Sequence, residues 1–299
     1  MEPKAFRSGF VSIVGSPNVG KSTLMNAFVG QKVAIVSQRP QTTRNRIMGV
    51  ATRPDAQIIF IDTPGIHTPK NKLGEYMVKV AYDALNEVEC VLFIADACAG
   101  IRERDDSILA QLKKAKAPVV AVINKIDAAS EEKVQAARER LAQEPWLNAV
   151  LEVSAAKEEG LEALEEKLRQ FLLPGPKYFP DDMVTDQPER VVCAEMIREQ
   201  TLILLREEVP HGIGVDIDKM LTRPDGLVEI WATIYCERDG HKGIIIGKGG
   251  SMLKKIGSQA REQIEWMLGS RVHLQLWVKV KEDWRNSPST MRMLGYEND

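Results

Sequence analysis

The first part of the chain alternates between short apolar runs and stretches of helical periodicity. The predicted strands cover residues 10–14, 47–52, 57–61, 90–95, 118–123 and, more weakly, 149–153. The predicted helices cover residues 22–29, 73–86, 104–114, 131–142 and 161–172. Continuous apolar runs such as 90–95 are typical of strands buried on both faces of a mostly parallel sheet. The alternation predicts a doubly wound α/β domain, whose ligands lie beyond the carboxyl ends of the strands.

A proline-rich segment then breaks the pattern. Three prolines fall within the seven residues 174–180 and cannot continue a helix, so we expect a linker over 174–187. The following pattern reads helix, strand, strand, helix, helix, strand, at residues 191–205, 213–218, 228–236, 243–246, 252–268 and 272–280. The sequence therefore predicts a first domain over 1–173, a smaller α+β domain over 188–285 and a C-terminal tail over 286–299.

Length and composition constrain the class of protein. A chain of 299 residues accommodates two domains, and its net charge of −2 gives no global argument for a nucleic-acid partner. Cys90, Cys98, Cys193 and Cys236 form no C-x-x-C pair, which favours buried thiols in a reducing compartment. Residues 1–4 are polar, and no apolar run reaches bilayer length, so we expect a cytoplasmic protein, with peripheral membrane contact left open.

Residues 15–22 read Gly-Ser-Pro-Asn-Val-Gly-Lys-Ser, the G-x-x-x-x-G-K-S pattern of a phosphate-binding loop. The loop follows a predicted strand and opens a predicted helix, so its backbone N–H groups and the helix N-terminus would surround a phosphate. Lys21 would contact the β- and γ-phosphates, and the hydroxyl of Ser22 would bind Mg²⁺. The predicted contacts here are Gly15, Ser16, Pro17, Asn18, Val19, Gly20, Lys21, Ser22 and Thr23.

Three further motifs follow predicted strands. In Asp62-Thr63-Pro64-Gly65 the aspartate is a candidate Mg²⁺ ligand, and the glycine N–H could sense a γ-phosphate. In Asn124-Lys125-Ile126-Asp127 the last carboxylate could accept both the N1 and N2 hydrogens of guanine, which would select GTP over ATP. In Ser154-Ala155-Ala156-Lys157 a backbone N–H could meet guanine O6, although Ser154 could equally be a helix N-cap. The predicted contacts are Asp62, Thr63, Pro64, Gly65, Asn124, Lys125, Asp127, Ser154, Ala155 and Ala156.

The second domain has its own motif. Residues 245–250 read Ile-Ile-Gly-Lys-Gly-Gly and match the I-I-G-x-x-G of KH domains, whose loop clamps single-stranded nucleic acid. Residues 242–281 hold eight basic and two acidic side chains, which favours a phosphate track. The predicted RNA contacts are Lys242, Ile246, Gly247, Lys248, Gly249, Gly250, Lys254 and Lys255. We expect Trp231, Trp266 and Trp277 to pack in the core, and we assign none of the four histidines to catalysis.

The four loop motifs, in this order, resemble those of the translation-factor-like GTPases and more closely the Era family, which ends in a type II KH domain. The resemblance spans nearly the whole chain. It implies hydrolysis of GTP to GDP and phosphate with Mg²⁺, binding to 16S ribosomal RNA near its 3′ end, and a role in assembly of the 30S subunit. It also implies loose association with the inner membrane, and we expect a monomer. Residues 41–44 resemble the effector loop; of its two threonines we favour Thr43 over Thr42 as the Mg²⁺ ligand.

One position departs from Ras-like GTPases. Ile66 stands where they carry the glutamine that orients the attacking water. In related GTPases an asparagine at the position of Asn18 helps to hold K⁺; the alternative is a turn residue in left-handed conformation. The catalytic candidates are Lys21, Asn18, Thr43 and Gly65. Two other functions stay open: a regulatory switch acting through protein or membrane partners, and a GTPase that modifies transfer RNA.

Overall fold

The computed structural model describes residues 5–37, 39, 41–205 and 209–296, except for the side chains of residues 210 and 211. The expectations for residues 1–4 and for the last three residues of the tail lie outside these ranges, as does the side chain of His211. The chain forms two compact units. The first combines the residues up to Ala34 with Thr43–Thr68 and Met77–Asp186, and the second combines Ile35–Thr42, Pro69–Tyr76 and the residues from Gln187 onward.

The first unit is built on one sheet. Its strands are β1 (Arg7–Gly15), β2 (Ile47–Thr52), β3 (Ala56–Asp62), β4 (Cys90–Asp96), β5 (Val119–Asn124), β6 (Ala149–Glu152) and the short β7 (Leu173–Pro174). The order is β2-β3-β1-β4-β5-β6, with β7 against the start of β1. All neighbours along this path are parallel except β2, which is antiparallel to β3. The expectation of a mostly parallel sheet is confirmed.

Helices cover both faces of this sheet. They are α1 (Lys21–Val29), α2 (Lys72–Asp83), α3 (Glu103–Leu112), α4 (Glu131–Ala142) and α5 (Leu161–Arg169). Alternate residues of β1 point to opposite sides: Ile13 joins a cluster with residues of α1 and α5, and Val14 joins a cluster with residues of α3 and α4. Because each face of a central strand is buried against a helix, the strands are apolar throughout, which is the pattern read from the sequence.

The segment predicted as a linker lies along the sheet of the first unit. The buried side-chain amide of Gln57 donates to the carbonyl of Phe179 at 2.9 Å and accepts from the backbone N–H groups of Tyr178 and Phe179. Further on, Val184 accepts a backbone hydrogen bond from Val50 in the edge strand β2. These contacts satisfy the polar backbone of a segment that its prolines keep out of regular structure.

The second unit packs helices on one face of a three-stranded sheet. Its elements are α6 (Glu189–Leu204), β8 (Gly214–Thr222), β9 (Val228–Cys236), α7 (Asp239–Ile246), α8 (Ser251–Leu268), β10 (Val272–Val280) and α9 (Pro288–Met293). The strand order is β10-β9-β8, with β10 parallel and β8 antiparallel to β9. Met196 and Ile197 of α6 and Ile256 of α8 pack on the inner residues of the strands. The predicted order of elements is the observed one.

The tail of this unit is packed as far as Tyr296. The fully buried Trp284 donates its indole N–H to the carbonyl of Gly212 at 2.8 Å, and its ring stacks on Tyr296. Within the described ranges, no helix is both long enough and apolar enough to cross a bilayer.

The expectation that three tryptophans lie in the core is wrong for all of them, because none belongs to the buried cluster of this unit. Trp266 is 70% exposed and Trp277 is 40% exposed, whereas Trp231 is half-buried. On β10 the inward positions are occupied by Leu276 and Val278, so the residue between them points outward. Periodicity identified the elements but did not show which face of a three-stranded sheet is covered.

Candidate nucleotide site and nucleic-acid interface

The phosphate-binding loop is folded around the side chain of Lys21. Its ammonium donates to the carbonyls of Gly15 at 3.1 Å and Ser16 at 2.9 Å. Gly20 just before α1 has φ 99°, and a Cβ there would lie 2.2 Å from the side-chain nitrogen of Asn124. Only glycine meets both conditions, because other residues avoid positive φ and need the space. The loop therefore ends with its N–H groups at the start of α1, where an anion is favoured.

Burial lowers the pKa of the Lys21 ammonium to about 8, and the carboxylates of Asp62 and Asp105 partly oppose this shift. The side chain is only 6% exposed. A buried ammonium that water no longer stabilises gains from a nearby anion, so the arrangement favours a bound phosphate.

Ser22, Thr43 and Asp62 meet at one point. Oδ2 of Asp62 accepts from the hydroxyl of Ser22 at 2.6 Å and from that of Thr43 at 3.2 Å, and the two hydroxyls are 2.9 Å apart. The other carboxylate oxygen, Oδ1, is buried and has no hydrogen-bond partner among the described residues. Burial raises the pKa of Asp62, and the neighbouring Lys21 and the two hydroxyls counteract this. Two hydroxyls and an unpartnered carboxylate oxygen are the hard ligands that suit Mg²⁺.

The two effector-loop threonines have different surroundings. The hydroxyl of Thr42 bonds to the hydroxyl of Ser37 and the carbonyl of Arg39, both at 2.7 Å. The side chain of Thr43 instead is buried beside Asp62. The geometry therefore favours Thr43 as the ligand.

The Asp62-Thr63-Pro64-Gly65 motif lies against the phosphate-binding loop. The hydroxyl of Thr63 donates to the carbonyl of Ile13 at 2.8 Å, and a Cβ on Gly65 would lie 2.8 Å from the backbone of Pro17. The side chain of Ile66 is buried in the core cluster that contains Val14. The residue at the glutamine position is thus part of the hydrophobic core.

The base motifs interlock with the phosphate-binding loop. The side chain of Asn124 donates to the carbonyl of Val19 at 2.8 Å and accepts from the N–H of Ala155 at 3.0 Å. The hydroxyl of Ser154 donates to the exposed carboxylate of Asp127 at 2.7 Å. Of the two alternatives for Ser154, the helix N-cap does not hold, because Gly160 precedes α5 and Ser154 lies before the turn that leads to it. Ala156 is exposed beside these residues.

Two acidic residues of this site were not predicted from the sequence. Asp96 at the end of β4 pairs with Lys125 at 2.7 Å, and Asp105 of α3 accepts from the hydroxyl of Ser16 at 2.6 Å. The position of Asp96 at a strand end was a usable signal, since ligand-binding residues collect there. Asp105 carried no signal, because its contact joins residues far apart in the chain.

The glycine loop of the second unit lies between α7 and α8. Gly247, Gly249 and Gly250 have φ of 71°, 59° and 80°. A Cβ on Gly249 would meet no atom within 4 Å, so this point of the loop is open. Lys248, Lys254 and Lys255 are exposed, and Lys242 is half-buried. Ile246 is partly buried and packs against the core of the unit, which makes it an anchor of the loop.

A strand, phosphate-binding loop and helix with a guanine-selective motif at the same sheet edge define a P-loop GTPase; the second unit adds a KH domain. Two family models agree with this reading: residues 10–125 match the 50S ribosome-binding GTPase family, and residues 208–285 match the KH domain family.

The chain is 50% identical over 295 residues to GTPase Era of Ruminiclostridium cellulolyticum, covering 99% of each protein. It is 52% identical over 294 residues to GTPase Era of Caldicellulosiruptor saccharolyticus, covering 98% of each. The chain belongs to the Era family of GTPases, and the resemblance found in the sequence is confirmed. It is therefore an enzyme that binds guanine nucleotide and hydrolyses GTP.

Solved structures show the same fold over the whole chain. One is Era in complex with MgGDPNP and nucleotides 1506–1542 of 16S ribosomal RNA, with a TM-score of 0.94 and 42% identity, covering 98% of this chain and 100% of that one. A substituted Era from Aquifex aeolicus bound to GDP and AlF₄⁻ gives the same values.

Proposed function

We propose that this GTPase binds small-subunit ribosomal RNA near its 3′ end and acts in assembly of the 30S subunit. The observation that carries this proposal is the solved relative, which holds a 16S ribosomal RNA segment and is 42% identical over 98% of the chain. The open glycine loop between α7 and α8, with lysines on the same stretch, supplies a place for that RNA. KH loops bind the backbone of single strands in this way.

The roles of the residues at the nucleotide site follow from their positions relative to one another. Lys21 and the phosphate-binding loop would hold the phosphates, and Ser22, Thr43 and Asp62 would hold Mg²⁺, which when bound neutralises phosphate charge. Gly65, with its backbone against Pro17, would sense the γ-phosphate. Asp127, oriented by Ser154, would select guanine, and a backbone N–H of the motif that holds Ala155 and Ala156 would meet guanine O6.

Water activation needs a group other than Ile66, whose side chain is apolar and buried. We propose that Asn18 helps to hold K⁺ near the phosphates. Asn18 is exposed in the phosphate-binding loop and has φ 66°, which supports its reading as a left-handed turn residue and is also compatible with ion binding.

We further propose that 1–173 and 188–285 carry the catalytic and RNA-binding functions and are joined by 174–187, a segment that packs with the first unit as far as Asp186. We place the protein in the cytoplasm as a monomer, with peripheral contact to the inner membrane.

The test is a titration of labelled RNA containing nucleotides 1506–1542 of 16S ribosomal RNA, alongside labelled GTP. The double substitution Lys248→Asp with Gly249→Asp adds negative charge at the open point of the loop, and aspartate tolerates the φ of 59° better than most residues. We expect RNA affinity to fall by about tenfold or more and the log–log salt slope to decrease by about one per lost phosphate contact. GTP affinity should be unchanged.

The matched control is Lys114→Asp with Gly30→Asp, which makes the same charge change at two exposed sites and includes a positive-φ glycine with free space around it. Unchanged RNA affinity in the folded loop variant would overturn the RNA-binding proposal. Co-sedimentation with separated 30S and 50S subunits gives a second measure, because the family model matched by residues 10–125 is named for the 50S subunit. Binding to 50S alone would contradict the assignment to the small subunit.

A further inference from the structure

The second unit has a sheet face that its helices leave uncovered. On β9 the even-numbered residues 228–236 and on β10 the even-numbered residues 272–280 belong to the core side. The residues between them therefore point to the opposite face. A cavity of about 560 Å³ lies on that face and is lined by Asp218, Lys219, Trp231, Thr233, Trp277 and Lys279. Its volume falls within the range of small-ligand sites, about 300–1,000 Å³.

A β-bulge shapes this cavity. The register of β8 against β9 shifts between Ile217 and Lys219, so that Ile217 pairs with Ala232 and Lys219 pairs with Trp231. Asp218 is the extra residue, and its carboxylate accepts from the hydroxyl of Thr233 at 2.7 Å on the open face. The bulge thus brings the consecutive residues Asp218 and Lys219 to the same face of the sheet, which regular alternation would forbid.

The two tryptophans differ in what covers them. The ammonium of Lys219 lies 5.0 Å from the centroid of the Trp231 ring, a cation–π contact. Trp277 is 40% exposed, pairs with Thr233 in the middle of β9 and lines the cavity, and no cation of the described part of the chain lies over its ring. It is the aromatic surface available to a flat ligand.

The charges of this face indicate which kind of ligand would bind there. Arg223 pairs with Glu229, and Arg190 lies 3.7 Å from Asp216, so these groups largely neutralise each other. Among the described residues, Lys219 and Lys279 form no ion pair. Two lysines that lack carboxylate partners, beside an exposed indole ring, complement a phosphate attached to a planar base.

We propose that this face is a second RNA site, where one unpaired base stacks on Trp277, its phosphate lies at Lys219 and Lys279, and Asp218 accepts a base N–H. The inference rests on the proposed RNA-binding function of this unit and goes beyond it, because the residues lie on the sheet face opposite the packed helices and outside the glycine loop. A sheet with exposed aromatic residues is a known way of binding unpaired bases. The carboxylate oxygen of Asp218 that Thr233 does not contact favours a base with an amino or imino hydrogen.

The experiment uses the full chain and the labelled RNA with nucleotides 1506–1542 of 16S ribosomal RNA. We expect Trp277→Ala to weaken binding about tenfold, since a base stacked on an aromatic side chain contributes on that scale. Trp277→Phe should keep most of the affinity, because it retains a ring. Trp266→Ala is the matched control: it removes a more exposed tryptophan of the same unit that does not line the cavity, and it should bind like the parent.

Two further readouts hold even where the alanine variant fails to fold. RNA should quench tryptophan emission in the parent and less in Trp277→Phe, and Lys279→Ala should lower the log–log salt slope by about one. Parent-like affinity of folded Trp277→Ala, or no quenching together with an unchanged salt slope, would overturn the proposal. If the glycine-loop double variant loses RNA while these variants do not, only this inference fails. If none of them loses RNA, the proposed function fails as well. If folded Trp277→Ala keeps parent-like RNA affinity but loses 30S binding, this face binds a protein partner instead of RNA.

Discussion

The ammonium of Lys125 lies 2.7 Å from the backbone carbonyl of Asn18 and donates a hydrogen bond to it. The same ammonium pairs with Asp96, so one lysine of the base motif is fixed between a strand end and the phosphate-binding loop. Both Lys125 and Asn18 have φ 66°, a strained value for residues other than glycine. The side chain of Lys125 therefore links the base-binding loop directly to the phosphate-binding loop.

This contact makes a clean test of the K⁺ proposal possible. Asn18→Gly removes the side-chain amide, keeps the carbonyl that Lys125 binds and adopts positive φ without strain. In the parent we expect faster GTP hydrolysis in KCl than in NaCl, by at least about tenfold, well below the full effect of an arginine finger. Asn18→Gly should hydrolyse GTP at the same slow rate in both salts. Equal parent rates in the two salts would contradict the proposal.

Base selection is tested at Asp127. In Asp127→Asn the acceptor of two guanine hydrogens becomes partly a donor, so we expect GTP affinity to fall by about tenfold or more, the cost of roughly 1–3 kcal/mol for an unpaired polar group. The affinity for xanthosine triphosphate, which has an oxygen in place of N2, should rise. Competition titrations measure both. Ser154→Ala is the control, since it removes the hydrogen bonds of this hydroxyl to Asp127 and Lys157 but keeps the Asp127 carboxylate as an acceptor, so it should weaken GTP binding without favouring xanthine. Equal competition by ATP and GTP in the parent would refute base selection.

Substitutions at the two neighbouring threonines test which of them is the Mg²⁺ ligand. Thr43→Ala removes a hydroxyl that contacts Asp62, and we expect the Mg²⁺ concentration for half-maximal GTP hydrolysis to rise at least about tenfold. Thr42→Ala removes a hydroxyl bonded to Ser37 and Arg39 and should leave this Mg²⁺ concentration unchanged. Chelation of Mg²⁺ should abolish hydrolysis in both variants. A larger effect from Thr42→Ala would assign the ligand role to the other residue.

Thiol reactivity should follow burial. Burial raises the pKa of the Cys90 and Cys193 thiols to about 12, so at pH 8 only about one thiol in ten thousand is ionised. Because the thiolate is the nucleophile, alkylation of these two cysteines should stay slow in the folded protein at pH 8, and its rate should keep rising with pH up to about 12. The half-buried Cys98 should react first. Peptide mapping after iodoacetamide treatment checks the order, and all four should react in denaturant. Rapid labelling of Cys90 in folded protein would contradict it.

The sequence was most informative where one strong local pattern coincided with a fold-wide rule. The apolar runs that became β4 and β5 could only be buried on both faces, and this fixed the parallel sheet. Parallel strands end at the same edge of a sheet. Asp62 at the end of β3 and Asn124 at the end of β5 therefore had to lie at the edge that holds the phosphate-binding loop.

What could not be predicted depended on contacts between distant residues. Asp105 reaches Ser16 from a helix surface position that looks like any solvated acid in the sequence. Trp277 alternates as a strand residue should, but only the assembled sheet shows that no helix covers its side. For the two effector-loop threonines the sequence favours Thr43, but only the structure shows that its side chain, and not that of Thr42, contacts Asp62.

The amide of Gln57 determines where the chain can be divided. It is fully buried and bonds to Thr52 and to the backbone of Tyr178 and Phe179. A catalytic fragment that stopped at residue 173 would lose the three hydrogen bonds of this amide to residues 178 and 179 and would expose the part of the sheet that this segment covers. A fragment ending after Asp186 keeps the whole segment that covers the sheet. The shorter fragment should therefore express poorly and precipitate, whereas the longer one should remain a usable GTPase for kinetic work.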